Sequence, residues 1–111
     1  MNRKLQAAID EAFAQAQQKL HVGRSTEALA WLERAHILTQ RRPWLHARSH
    51  WLMLRAGWQQ GDVREVLGQM PRILAALLFS RIWVPIGNTG RARVSAFQPM
   101  PISEELRRLL G

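Results

Sequence analysis

Two stretches decide the fold: Gly23-Arg24-Ser25-Thr26-Glu27-Ala28-Leu29 and Gly61-Asp62-Val63-Arg64-Glu65-Val66-Leu67. Each opens on a glycine, sets a glutamate four positions later and follows it with an apolar pair. A glycine here suits the left-handed residue that closes one helix. The glutamate suits the positive end of the next helix. The two glycines stand 38 positions apart. The chain therefore reads as two copies of a helix–turn–helix unit.

The flanking periods agree. Leu5, Ile9, Ala12, Phe13, Ala16 and Leu20 recur at helical spacing before Gly23. A second helix starts near Ser25, a good N-cap, with Ala28, Leu29, Leu32, Ala35 and His36 as its inner stripe. Pro43 fits the first turn of a third helix that runs to about Gln60. Its apolar positions include Trp44, Ala47, Trp51, Leu54 and Trp58, with His46, His50, Met53 and Gly57 as an adjoining row, and most of the tryptophans are expected in the core. Asp62 and Glu65 read as a capping box. The fourth helix has Val63, Val66, Leu67, Met70, Ile73, Leu74 and Leu77 as its expected inner face, and Pro71 is expected to kink or divide it.

The string Glu27-Ala28-Leu29-Ala30-Trp31-Leu32-Glu33-Arg34-Ala35 resembles a tetratricopeptide repeat, a family whose period is shorter. Two such units are fewer than the three or so that a solenoid needs, so something must cap them. Residues 81–111 are expected to do so. Trp83, Ile86, Val94, Phe97 and Met100 should pack back on the helices, and a short helix should run from Ser103 to Leu110. The expected fold class is all-α: two tetratricopeptide-like hairpins over residues 1–80, with an irregular C-terminal extension, 81–111, on the same domain.

The length of 111 residues fits one domain with a core of its own. With 47% hydrophobic and 22% charged residues the chain is not of the disordered class. It has no cysteine, which excludes thiolate ligands, disulfides and cysteine nucleophiles. The net charge of +8 has two readings. One is a nucleic-acid partner; the other is an arginine-biased composition spread over solvated helix faces. The arginines are scattered, with Arg41-Arg42 and Arg107-Arg108 as the adjacent pairs. The N-terminal stretch Met1 to Gln6 leads into no apolar region of the kind a secretory signal needs. Ile73–Phe79 and Ile82–Ile86 are too short to span a membrane. The expected location is cytoplasmic.

Three of the four histidines carry the chemistry. Glu33 and His36 are three apart, His46 and His50 four apart, so each pair shares a helical face. A short link around Arg41–Pro43 makes helices two and three antiparallel neighbours and brings the faces together. His36, His46, His50 and Glu33 are therefore candidate ligands of a divalent transition metal or of a small metal-containing cofactor. A sulfur-free set of this kind suits Zn, Fe, Ni, Co or Cu. Neutral imidazoles are required, so affinity is expected to fall below about pH 6.5. The competing reading makes the histidines structural, in a module that binds a protein partner. A second candidate site is Gly87-Asn88-Thr89-Gly90, where Asn88, Thr89, Gly90 and Arg91 would hold an anion or form a tight turn. No catalytic residue is assigned.

Taken together, Glu33-Arg34-Ala35-His36, His46-x-x-x-His50-Trp51-x-Met53-Leu54, Gly61-Asp62-x-Arg64-Glu65-Val66-Leu67-Gly68-Gln69, and Gly87-Asn88-Thr89-Gly90 with Val94-Ser95-Ala96-Phe97-x-Pro99-Met100-Pro101 resemble a small bacterial family, a domain of unknown function. The resemblance covers roughly residues 25–105. It implies no established activity. Its members are often encoded beside heavy-metal resistance genes, and its histidine positions match His36, His46 and His50, which together imply metal handling.

Overall fold

The two glycine turns close in the same way. Gly23 N donates to Leu20 O and Arg24 N to Lys19 O; Gly61 N donates to Trp58 O and Asp62 N to Gly57 O. Both glycines are left-handed, with φ of 80° and 70°. This pair of bonds satisfies the last carbonyls of a helix and turns the chain sharply. The repeat seen in the sequence is thus a repeat of hydrogen bonds.

The computed structural model describes residues 3–111. Met1 and Asn2, part of the stretch read above for a secretory signal, lie outside the described residues. Five helices follow in order: α1 (Arg3–His21), α2 (Ser25–Thr39), α3 (Pro43–Gln60), α4 (Val63–Phe79) and α5 (Glu104–Leu110). There is no strand among the described residues. α1 packs on α2, α2 on α3 and α3 on α4, while α5 returns to touch α1 and α2. None of these helices is long and apolar enough to cross a membrane.

The core lies between α1, α2 and α3. Ile9, Phe13, Leu29, Leu32, Leu38, Leu52 and Met53 fill it, and Leu106 of α5 joins the same cluster. Arg34 of α2 grips Glu105 with Nη1 at 2.7 Å and Nη2 at 3.1 Å from its two carboxylate oxygens. The C-terminal segment therefore closes over the first hairpin, but through Leu106, Ile102 and Leu109. The aromatic residues expected to do this do not: Trp83 and Phe97 are 52% and 76% exposed.

Two helix faces differ in part from the sequence reading: the row His46, His50, Met53 and Gly57 is buried, but the α3 tryptophans and several apolar residues of α4 lie outside. On α3 the buried row is His46, Ala47, Ser49, His50, Leu52, Met53, Ala56 and Gly57. Trp44 and Trp58 are 79% and 76% exposed, and Trp51 stands between them on the outside. α3 is sandwiched by α2 and α4, and small residues on the inner row let both come close. On α4 the buried residues are Glu65, Gln69 and Ala76. Val63, Leu67, Met70 and Leu74, expected inside, are exposed.

Three local expectations are also revised. Ser25 is the first helical residue of α2, and Arg24 holds the cap position without a side-chain bond. Asp62 caps α4, its Oδ1 accepting from Glu65 N at 3.1 Å, but the Glu65 side chain turns inward instead of back to Asp62. α4 runs unbroken through Pro71.

The left-handed turn sets the angle of the second hairpin. Gly61→Ala should therefore lower unfolding stability by about 1–2 kcal/mol, the cost of a Cβ in that conformation. A urea midpoint unchanged by the substitution would show that the turn is not retained in solution.

Candidate metal centre

The link between α2 and α3 places His36, in the last turn of α2, beside His46 and His50 in the first turns of α3. All three side chains are buried. Their Nε2 atoms converge: His36 to His46 is 2.9 Å, His46 to His50 is 3.1 Å and His36 to His50 is 3.2 Å. Three donors each about 2.0–2.1 Å from one ion stand about 2.9 Å apart at right angles and about 3.3–3.4 Å apart in a tetrahedron. The observed separations fall in that interval. Three nitrogens so placed could hold one face of an ion.

The other ring nitrogen of each histidine fixes its tautomer. His36 Nδ1 lies 2.8 Å from the carbonyl oxygen of Asn88, which only accepts. His46 Nδ1 lies 2.7 Å from Ser80 Oγ, whose own proton goes to Ala76 O, leaving it to accept. His50 Nδ1 lies 2.6 Å from Gln69 Oε1. Gln69 Nε2 donates to Glu65 Oε2 at 2.5 Å and to Gly90 O at 2.9 Å, which holds the amide with its oxygen toward His50. Every Nδ1 therefore carries the proton, and every Nε2 presents a bare lone pair. Supports of this kind, behind the ligating nitrogen, orient metal-bound imidazoles.

Three lone pairs facing one another at about 3 Å repel, and no hydrogen lies between them. Taking up a proton there is opposed by the surroundings. Burial, and then the neighbouring imidazoles, push His36 well below its ordinary value. Burial pushes His46 down to about 4. Burial, reinforced by His46, pushes His50 down to about 3. The cluster is neutral at neutral pH and electron-rich at its centre.

The support of His50 leads back through Gln69 to a buried carboxylate. Glu65 is fully enclosed; its Oε1 accepts from Arg91 Nε at 2.7 Å and its Oε2 from Ala92 N at 3.0 Å. Gly57 of α3 gives it room, since a Cβ there would lie 2.9 Å from Glu65 Cβ. Gly90 does the same for His36: it is left-handed, and a Cβ on it would fall 2.6 Å from the imidazole. Gln40 ties the loop in place, donating to Pro85 O at 2.9 Å and accepting from Gly87 N at 2.8 Å.

Of the residues expected at a site, the three histidines are brought together and Glu33 is not. Its carboxylate accepts from Arg91 Nη1 at 3.0 Å and is not one of the converging ligands. In the Gly87–Gly90 turn the N–H groups of Gly87, Asn88 and Gly90 all have acceptors. Asn88 N donates to Pro85 O, Gly90 N to Asn88 Oδ1, and the Asn88 amide to Ser95 O and Gln98 O. Thr89 is half-buried in the same turn. Arg91 lies between Glu33 and Glu65. This loop builds the wall of the histidine site. Sequence reasoning missed Gln69, Glu65, Ser80 and Gln40. The i,i+4 spacing of Glu65 and Gln69 was a usable signal; nothing around Ser80 was.

Buried neutral histidines make stability depend on pH. Their folded values lie below the ordinary 6.5, so the unfolded chain binds more protons as acid is added. The metal-free protein should hold its full stability above about pH 6.5 and lose it on acidification, by up to about 1.4 kcal/mol per pH unit for each histidine. The loss should extend toward pH 4 for His46 and pH 3 for His50. Between pH 6.5 and 4, His50→Gln should show a shallower slope of urea midpoint against pH. An unchanged slope would mean that His50 is not buried neutral.

The comparisons with known proteins give one match. The family model described as "Protein of unknown function (DUF3703)" matches residues 3–110. No curated protein and no solved structure matches the chain. With nearly its whole length covered, the chain belongs to the DUF3703 family.

Proposed function

We propose that the protein binds one divalent transition-metal ion through the Nε2 atoms of His36, His46 and His50. The observation that carries this reading is the convergence of three lone pairs whose opposite ring nitrogens are all held as N–H donors. A cation relieves the repulsion that the fold builds into the centre. The all-imidazole set suits Zn, Co, Ni, Cu or Fe, the same range as the sequence reading. Three protein ligands leave a fourth position for water or another molecule, the pattern of reactive rather than purely structural zinc sites. Glu33 has no part in this reading, because Arg91 holds it. The role is metal handling or metal-dependent chemistry.

A second reading, a module that binds a protein partner, is favoured by the uncovered row Val63, Leu67, Met70, Leu74 and Leu78 on α4. A helix apolar on its outer face normally has a neighbour there. The two readings use different faces. For a nucleic-acid partner the structure offers less support: Arg24, Arg34, Arg91, Arg93 and Arg108 are paired with carboxylates.

Titration of untagged protein with Co²⁺, Zn²⁺, Ni²⁺ and Cu²⁺ tests the first reading. One equivalent should bind tightly, and at 100 times Kd of free ion the fold should gain about 2.7 kcal/mol. His50→Ala should abolish both effects while leaving the helical circular dichroism intact. Because burial already keeps the ligands neutral, affinity should stay level from pH 8 to about pH 5 and not fall below pH 6.5 as for exposed histidines. No binding tighter than about micromolar for any of these ions would contradict the reading.

A further inference from the structure

The histidine cluster forms part of the wall of a cavity of about 540 Å³. That is within the range of about 300–1,000 Å³ typical of small-molecule sites. Ala75 and Phe79 of α4, the following Ile82 and Trp83, and Phe97 from the C-terminal loop line it. These side chains are not core residues out of place. Phe79, Ile82, Trp83 and Phe97 are all more than half exposed, because the cavity they line opens outward. Apolar walls left open in this way mark a binding groove more often than a bare surface.

Charge then narrows the occupant. Three neutral imidazoles leave both charges of a divalent ion uncompensated. The buried carboxylate of the site, Glu65, is occupied by Arg91, Ala92 N and Gln69. Besides the histidines, the one ionisable residue lining the cavity among the described residues is Arg72. Its Nη1 donates to Gly68 O at 2.8 Å and its Nη2 to Val94 O at 3.0 Å, so it bonds carbonyl oxygens, and Glu65 acts on its charge without forming an ion pair with it. A guanidinium has five N–H groups, and these two bonds leave others free for a ligand. Ion and arginine favour an anionic oxygen donor; the walls favour a hydrocarbon body.

We infer that the cavity binds a small apolar molecule bearing one carboxylate, its head group in the fourth position of the metal and its hydrocarbon part along Phe79, Trp83 and Phe97. The inference rests on the metal reading above and extends it from an ion to an ion with an organic ligand. Arg72 is a specificity-determining residue for the negative head group. Phe97 and Trp83 form the mouth, where longer chains meet them first.

The test uses the full chain loaded with Co²⁺, whose visible absorption reports the fourth ligand, and the straight-chain carboxylates from butanoate to decanoate. Affinity should rise about fourfold per added methylene, the factor that burial of one CH₂ confers, until the cavity is full. Octylamine, with the same chain and the opposite charge, should bind at least tenfold more weakly than octanoate. Ala75→Trp, which fills the cavity from the exposed side of α4, should keep the Co²⁺ spectrum and abolish the dependence on chain length. With Co²⁺ bound, flat affinities across the series, or octylamine binding as well as octanoate, would overturn this inference and leave the metal reading standing. Failure of Co²⁺ to bind at all would overturn both.

Discussion

Three imidazole lone pairs meet at one point, and much of the structure exists to keep them there. Left to itself each ring would turn to share a proton with its neighbour. The fold prevents this by giving every Nδ1 an acceptor: a backbone carbonyl for His36, a hydroxyl for His46 and an amide oxygen for His50. These acceptors come from three places, the C-terminal loop, the residue after α4 and the middle of α4. The site is therefore a property of the whole second half of the chain. It cannot form from the two helices that carry the histidines alone.

This requirement accounts for the unusual orientation of α4. Its polar face is inside, where Gln69 holds His50 and Glu65 holds Gln69, Ala92 and Arg91. Buried polar groups persist where every member of the network is satisfied, and each of these has its partners. The consequence is an apolar face turned outward along α4. The helix sacrifices ordinary amphipathic burial to build a site. Such a local conflict with patterning is expected where function and packing compete.

The all-helical architecture was legible because it depends on local signals. Gly23, Pro43 and Gly61 punctuate the chain through backbone conformations that few other residues adopt, and each turn closes where its glycine or proline stands. The meeting of His36, His46 and His50 was legible for a related reason: i,i+4 spacing and a short link leave little freedom. The outward facing of the α3 tryptophans and of the α4 apolar row was not legible. Trp44, Trp51 and Trp58 share a helical row that looks like a core stripe, while the true inner row contains small and polar residues. Hydrophobic period identifies a helix but cannot say which side a buried hydrogen-bond network will occupy. The partner of Glu33 was also beyond reach, since Arg91 lies 58 positions away and arrives only with the loop. The anchoring of that loop by Gln40 and Asn88 depends on tertiary contacts that no local pattern encodes.

Long-range ¹H–¹⁵N correlation spectra of the imidazole rings read the protonation pattern of the cluster directly. In metal-free protein at pH 7, His36, His46 and His50 should all show a protonated Nδ1 and an unprotonated Nε2, and Zn²⁺ should shift the three Nε2 resonances together. A proton on Nε2 of any one of the three would supply a hydrogen bond where the account requires a bare lone pair, and would contradict it.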